Sequence, residues 1–433
     1  MAVAPAVADV FVIEGARPLN GRIRAAGNKN GALPILAACL LTNEPVTLTN
    51  VPRIRDVETM IELLADLGAE VGWIGPNEVR VHTANVTKSA PDTSLCSRIR
   101  ASFLLAGPLL ARFGRATMPL PGGDVIGRRR LDPHMHAFAS LGAEIEFDRH
   151  YEMRAASLSG AHVFLEEASV MATENTVMAA VLADGETVLG NAACEPHVQD
   201  LCRFLVSLGA RIEGIESNVL RIEGVKSLGG GTWAIGADHI EVGSFIGMAA
   251  VTGGEVTVEG AKSADLVSIV PAFARLGVRV EVSDDVVTIP SRQQLVVQDD
   301  LGGMIPKIED GPWPAFPSDM TSVAITIATQ AFGTVLMFEK MFENRLLFTD
   351  KLISMGARII LCDPHRAVVT GPTPLVGQRM ESPDIRAGMA MLIAALCADG
   401  QSTIGAIHQI DKGYERIDER LRALGASIER SAD

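Results

Sequence analysis

Residues 67–71 read LGAEV, and five variants of the pattern follow: LGAEI (141–145), LGARI (208–212), LGVRV (276–280), MGARI (355–359) and LGASI (424–428). Such a stretch is a junction. A helix ends at the Leu or Met, and the glycine takes the left-handed position past its end, where a Cβ is disfavoured. A β-branched residue then opens a strand. The residues upstream support the helix: Val57, Met60, Ile61, Leu64 and Leu67 follow helical spacing, as do Tyr414, Ile417, Leu421 and Leu424. Strand-like stretches such as GEVTVEG (254–260) and ETVLGN (186–191) lie between these helices. The interval of roughly 70 residues is longer than a solenoid unit. Each copy therefore predicts a small α/β unit with several strands.

Six such units in 433 residues exceed one core and predict two domains of three. The glycine-rich GGGTWAIGAD (229–238) marks one crossing between them, and Ala26–Asn28 the other. The expected division is 1–28 plus 238–433 for one domain and 29–237 for the other. The N-terminal strand Val10–Glu14 then joins the C-terminal part.

Composition narrows the function classes. The chain is 48% hydrophobic and 21% charged, the profile of a packed globular protein. A net charge of −14 argues against a general nucleic-acid binder. An anionic small substrate would need a local basic cluster in that field. The cysteines 39, 96, 194, 202, 362 and 397 form no CxxC pair and no zinc spacing, and they read as free thiols, mostly buried, in a reducing cytosol. The start, MAVAPAVADVFV, has no basic region and is broken by Asp9, unlike a signal peptide. The longest smooth apolar run, Ala387–Ala398, is too short to span a bilayer.

Basic residues collect before three of the repeated helices: GRRRLDPH (127–134), FENR (342–345) and IDKGYER (410–416). Helix N-termini carry unpaired N–H groups, so such loops suit anions, and loops at equivalent positions of related units can converge at a domain interface. Solvated surface charge explains most single Arg and Lys residues; three basic loops in equivalent places point to an anion site. Phosphate-loop, nucleophile-elbow and HExxH motifs are absent, and the nine histidines show no metal spacing. His134 and His136 read as polar packing at a helix entrance. In PGGDVIGRRR (121–130), Asp124 stands among glycines and arginines.

These stretches resemble the bacterial UDP-N-acetylglucosamine enolpyruvyl transferases, within the EPSP synthase superfamily. The resemblance starts in GNKNGALPILAACLLTNEPVTLTNVPRIRDV (27–57) and continues through RASFLLAGPLLARFG (100–114) and PGGDVIGRR (121–129). It includes SVMATEN (169–175), EGVKSLGGG (223–231), PAFPSDM (314–320), FENR and DKGYERIDERLRALGASIE (411–429). The enzymes acting on shikimate 3-phosphate share the fold but fit these motifs less well. The resemblance implies two inside-out α/β barrel domains of three units each. It implies transfer of the enolpyruvyl group of phosphoenolpyruvate to an acceptor hydroxyl by addition and elimination, with release of phosphate and with no metal or organic cofactor. Forked guanidinium groups suit the donor's carboxylate and phosphate.

Carried over motif by motif, Lys29, Arg129, Arg345, Arg386 and Lys412 would hold phosphoenolpyruvate. Asn30, Arg100, Arg129, Arg130, Leu131, Asp132, Pro133, Ser169, Val170, Asp319 and Met341 would meet the acceptor, a uridine nucleotide. Lys29, Asp124 and Asp319 would be catalytic. Asp319 is the general-base candidate, with a helix N-cap as its ordinary alternative. Asp384 is a candidate ion-pair partner for Arg386. Asp124 stands where many members carry cysteine; a carboxyl can still act as general acid, and the thiol's absence implies fosfomycin resistance. The loop Pro121–Arg129 is expected to close over bound acceptor.

Other departures fall on the acceptor side: Arg130 where proline is usual, Glu167 and Ala168 before Ser169, Met171, and Trp313 in place of histidine. Lys412 stands where Arg is common. Three readings follow. The first is the cytoplasmic peptidoglycan enzyme acting on UDP-N-acetylglucosamine. The second is a transferase with another acceptor, such as uridine monophosphate in nucleoside-antibiotic synthesis. The third is a non-catalytic nucleotide binder, which the retained Lys29, Asp124, Asp319, Arg345 and Arg386 oppose.

Overall fold

The computed structural model describes residues 9–432; the first eight residues of the N-terminal stretch considered above lie outside the described residues. By its contacts the chain divides into two compact units. One comprises residues up to Ala25, Val125–Arg128 and Ala237–Asp433; the other comprises Ala26–Asp124 and Arg129–Gly236.

The six junction glycines all have positive φ: 106° at Gly68, 96° at Gly142, 106° at Gly209, 84° at Gly277, 107° at Gly356 and 95° at Gly425. Helices Arg55–Leu67, Pro196–Ser207 and Ile417–Ala423 end at or just before them. Strands Glu70–Gly75, Arg211–Glu213 and Ser427–Ala432 follow. Two details differ from the expected pattern. After Gly277 the strand begins only at Glu281, beyond Val278 and Val280. Tyr414 precedes its helix, because Ile407–Lys412 forms a separate short 3₁₀ turn.

Each unit carries three sheets among the described residues. In the unit ending at Asp433, the strand Asp9–Glu14 pairs antiparallel with both Gln401–Gly405 and Ser427–Ala432. Five of the six sheets have one parallel edge pair. A parallel pair needs a crossover, usually a helix. Three crossovers are direct: Ser318–Gln330 joins Lys307–Glu309 to Gly333–Phe338, Ile385–Cys397 joins Arg379–Glu381 to Gln401–Gly405, and Val170–Ala180 joins His162–Phe164 to Glu186–Gly190.

The other two are split by the chain crossings. Gly21–Arg24 lies parallel to Val256–Glu259, but the helix His239–Thr252 that leads into the latter arrives only after the whole second unit has been built. Gly231–Ala234 lies parallel to Val46–Thr49, which follows the helix Lys29–Ala38. Each unit thus contains a strand supplied from a remote part of the chain.

Sheets do not close on themselves among the described residues; each is an open ladder of three or four strands. The closed barrel suggested by the resemblance is therefore not found as a continuous sheet. The crossover helices take the interior instead. His239–Thr252, Ser318–Gln330 and Ile385–Cys397 pack on one another and are buried on nearly every face. Lys29–Ala38 and Val170–Ala180 are buried in the same way. A helix apolar all round belongs in a core. Four cysteines are buried as expected, whereas Cys362 is exposed on the strand Arg358–Asp363.

Two glycines separate strain from crowding. A Cβ on Gly142 meets open space but would sit at φ +96°; one on Gly224 would lie 1.6 Å from the Ala183 carbonyl oxygen. Gly142→Ala should cost about 1–2 kcal/mol, the ordinary penalty of a left-handed residue. Gly224→Ala should lower the melting temperature further or prevent folding; equal melting temperatures for the two variants would contradict this.

Candidate active site

The starts of the buried helices carry several of the expected site residues: Lys29, Asn30, Ser169, Val170, Asp319 and Arg386. Helix N-termini present free N–H groups and partial positive charge, which favour anions. In the unit ending at Asp433, Asp319 lies in the first turn of Ser318–Gln330. It is not the N-cap, which is Pro317. Its Oδ1 accepts from Arg345 Nη2 at 2.8 Å, and its Oδ2 accepts from Arg386 Nε at 3.0 Å and pairs with Arg386 Nη2 at 2.8 Å. Arg345 and Arg386 are buried.

Arg386 Nη1 donates to the Tyr414 hydroxyl at 3.0 Å, and Ser322 Oγ donates to the Arg386 carbonyl at 3.0 Å. Burial works against the Arg386 charge, but Asp319, Tyr414 and Asp238 outweigh it and hold the guanidinium protonated more firmly than usual. Arg345 Nε is buried without a hydrogen-bond partner among the described residues. Two guanidiniums on one carboxylate leave a local positive charge, as an anion-binding site requires.

Asp384 does not pair with the Arg386 side chain as expected. It is the N-cap of Ile385–Cys397, and its Oδ1 accepts from the backbone N–H of Arg386 at 2.8 Å and of Ala387 at 2.9 Å. Capping satisfies donors that a helix start leaves open. It also fixes the turn from which Arg386 reaches Asp319. Asp238 caps His239–Thr252 similarly. His239 is pushed down to about 4, by burial first and then by Arg386, so it is neutral at pH 7. Trp313 lies edge-on to it at 6.2 Å.

Behind Arg345, Glu339 Oε1 accepts from Ser318 Oγ at 2.8 Å and from the Phe342 N–H at 3.1 Å. Burial, and then a hydrogen bond and charge from Asp310, push Glu339 up to about 8. Lys412 Nζ donates to Gln409 Oε1 at 2.6 Å, and Met341 is exposed. The segment Val125–Arg128 is tied to the FENR turn: Asn344 N–H donates to the Ile126 carbonyl at 3.0 Å, and Arg128 N–H donates to Glu343 Oε2 at 3.1 Å.

In the other unit, Lys29 opens its helix beside Asn30, and Asn28 caps it by accepting from the Gly31 N–H at 3.1 Å. Lys29 Nζ meets Asp56 Oδ2 at 2.7 Å, both well buried. Ser169 caps Val170–Ala180, its Oγ accepting from the Ala172 N–H at 3.3 Å. Arg129 Nη2 donates to the Asp124 backbone carbonyl, and Arg100 Nη2 donates to the Arg129 carbonyl at 2.6 Å. Burial and then the nearby Arg129 charge pull Arg100 down to about 10. Two partly buried like charges relax when an anion joins them.

Leu131 and Pro133 are buried at the start of Asp132–Ser140, with Asp132 exposed between them. His134 is packed, as expected: burial and Arg100 push it down to about 3, and Asn175 Nδ2 lies 3.0 Å from its Nδ1. The departures Arg130 and Glu167 meet, with Arg130 Nη2 3.9 Å from Glu167 Oε2.

Sequence reasoning missed Asp56, Tyr414, Glu339 and Asp310. Tyr414 carried one usable signal, being one of only two tyrosines and lying beside Lys412 in DKGYER. The acids offered none, because their partners are remote in sequence.

Comparison with known proteins gives the class, an enzyme of the enolpyruvyl-transferase kind. The profile of the EPSP synthase (3-phosphoshikimate 1-carboxyvinyltransferase) family matches residues 13–421, and the chain belongs to that family. It is 57% identical to the UDP-N-acetylglucosamine 1-carboxyvinyltransferase of Bradyrhizobium diazoefficiens over 97% of both chains. It is 52% identical to that of Treponema denticola, over 97% of this chain and 98% of the relative. Among solved structures, the enolpyruvyl transferase NikO from Streptomyces tendae superposes with a TM-score of 0.87 at 23% identity, over 99% of this chain and 100% of that one. EPSP synthase from Acinetobacter baumannii gives 0.75 at 17%, over 98% and 100%. At these identities the two structures establish the fold alone.

The cap at Asp384 is testable. Asp384→Asn keeps an acceptor and should change stability by a few tenths of a kcal/mol, whereas Asp384→Ala should cost about 1 kcal/mol in urea or thermal unfolding. Equal losses in the two variants would mean that the charge of Asp384, rather than its capping bond, is what matters.

Proposed function

We propose that this chain transfers the enolpyruvyl group of phosphoenolpyruvate to a hydroxyl of UDP-N-acetylglucosamine and releases phosphate, the first committed step of peptidoglycan synthesis, in the cytoplasm. The observation that carries the reading is the Arg345–Asp319–Arg386 cluster, a carboxylate between two buried guanidiniums. Relatives bearing this activity in their names, 57% and 52% identical over nearly the whole chain, support it. Helices are nowhere long and apolar enough to cross a membrane among the described residues.

Arg345, Arg386 and Lys412, with Lys29 and Arg129, bind the carboxylate and phosphate of the donor. Once those anions engage the guanidiniums, Asp319 is released to take the proton of the acceptor hydroxyl. The acceptor oxygen bonds to C2 of phosphoenolpyruvate while Asp124 gives a proton to the methylene carbon, and a tetrahedral intermediate forms. The Asp124 carboxylate then takes a proton back from that carbon as phosphate leaves C2, which restores the double bond. Asn30, Arg100, Arg130, Leu131, Asp132, Pro133, Ser169, Val170 and Met341 hold the nucleotide sugar. No metal or organic cofactor enters this scheme.

We assign the six sheets and their helices to six repeated units, three in each inside-out barrel domain, with domain boundaries at 28/29 and 237/238, each within three residues of the contact division, which also places Val125–Arg128 with the unit ending at Asp433. Three sheets and a set of fully buried helices in each unit support that assignment.

The acceptor-side departures favoured another nucleotide, such as uridine monophosphate. The Arg130–Glu167 pair weakens that case, since the acidic residue has a basic partner. Phosphate release should require UDP-N-acetylglucosamine and phosphoenolpyruvate together, and Asp319→Asn should lower kcat roughly 10²–10⁴-fold. Turnover of uridine monophosphate with none of the UDP-sugar would replace the first reading by the second.

Fosfomycin, an epoxide that alkylates the usual loop thiol, should leave this chain active. Asp124→Cys should become sensitive, with time-dependent inactivation and a mass adduct on residue 124. Inactivation of the natural chain with an adduct on the same loop would refute this.

A further inference from the structure

Asp310 follows the strand Lys307–Glu309, and Glu339 follows the partner strand Gly333–Phe338. The parallel register Glu309↔Phe338 puts these two acids opposite one another, one step beyond the ladder. Backbone bonds keep them there: Asp310 N–H donates to the Phe338 carbonyl at 3.2 Å, and the Lys340 N–H donates to Asp310 Oδ1. Glu339 N–H donates to the His365 carbonyl at 2.8 Å, and His365 Nδ1 lies 2.7 Å from the Glu339 carbonyl.

Both residues are almost fully buried, at 1% and 0% exposure. One oxygen of each carboxyl is occupied, Oδ1 by Lys340 N–H and Oε1 by Ser318 and Phe342. The other two, Asp310 Oδ2 and Glu339 Oε2, are buried and accept from no donor among the described residues. A buried acceptor without a donor is costly. Two carboxyls with one orphan oxygen each resolve that cost by holding one proton between them, as like-charged carboxylates at one site do.

We propose that Asp310 and Glu339 share a single proton, and that this pair is a positioning device for Arg345 and Asp319. The route is short. Glu339 Oε1 holds the Phe342 N–H, which starts the turn carrying Arg345, and holds Ser318, the neighbour of Asp319. With one proton, the pair shows a single negative charge to Arg345, whose field acts on Glu339. When that proton leaves for solvent, two negative charges compete with Asp319 and the donor substrate for Arg345. The other charges around the pair are engaged elsewhere: Lys340 Nζ lies 3.6 Å from Glu309 and Lys307 Nζ 2.7 Å from it.

The direction of the pH effect follows. A carboxyl that holds its proton to higher pH in the folded chain than in the unfolded one contributes stability that is lost as pH rises through the folded value. Asp310→Asn and Glu339→Gln each put an amide N–H where the shared proton sits, so neither variant should lose stability there.

This proposal rests on the enolpyruvyl-transfer reading for its kinetic arm alone. The test compares the natural chain, Asp310→Asn and Glu339→Gln by thermal unfolding, by infrared spectroscopy and by kinetics across neutral to alkaline pH. The natural chain should show a protonated-carboxyl band that disappears around pH 8, and a melting temperature that declines with rising pH up to that point and levels off above it; both amide variants should lack the band and the decline. The KM for phosphoenolpyruvate should rise several-fold over the same range in the natural chain, with kcat changing less, and should stay level in the variants. Absence of the band in the natural chain at neutral pH, or the same pH profile of stability in all three, would overturn the shared proton. A KM rise that persists in both variants would overturn the positioning role. An inactive natural chain that keeps the band and the stability profile would refute the enolpyruvyl-transfer reading and leave the pair standing.

Discussion

The arrangement of Arg345 and Arg386 around Asp319 sets conditions that much of its unit serves. Two buried guanidiniums without a carboxylate would be strongly destabilising, since removing one partner of a buried pair costs about 3–5 kcal/mol. Asp319 supplies the counter-charge in the resting protein. Ser322 holds the Arg386 backbone, Asp384 caps its helix, and Tyr414 takes the far side of the guanidinium. Asp319 and Arg386 meet because two packed helices start side by side, and the turns that carry Arg345 and Tyr414 bring those side chains to them. A cluster built this way carries a positive charge on two buried guanidiniums around a partly exposed carboxylate, which suits a small polyanion.

The same architecture explains why helix starts carry so much of the chemistry. A parallel edge strand runs into a buried crossover helix, and any side-chain cap at the start of that helix takes only one or two of its first-turn N–H groups. Lys29, Ser169, Asp319 and Arg386 all occupy such turns. The basic loops before the junction helices contribute differently. Arg345 and Lys412 precede short helices, and Arg128–Arg130 precede Asp132–Ser140. Each set is anchored by backbone bonds, such as those joining Ile126 and Arg128 to the FENR turn.

Much of this was legible from residues alone. The six LGxxI-like junctions located helix ends and strand starts because a left-handed glycine is a local requirement. The family motifs picked out Lys29, Asp319, Arg345 and Arg386. Local reasoning failed where two explanations shared one sequence. Asp384, two residues before Arg386, looked like its ion-pair partner but serves its backbone. Asp319 carried two readings, general base and N-cap, and the cap reading is the one that falls: Pro317 is the cap, and Asp319 serves two side chains. Arg130 and Glu167 looked like separate departures, yet they lie 3.9 Å apart.

The alternation of helix and strand, the junction glycines and the charged residues proposed for the site were all readable locally. These depend on φ preference, apolar period and side-chain chemistry, which act within a few residues. Which charges are neutralised depends on contacts made in the folded chain. Asp56 beside Lys29, Tyr414 beside Arg386 and Asp310 beside Glu339 come together through strand register and helix packing, each across tens of residues of chain. Whether a buried ionisable group keeps or loses its proton depends on what surrounds it in space, and that is settled when the core closes.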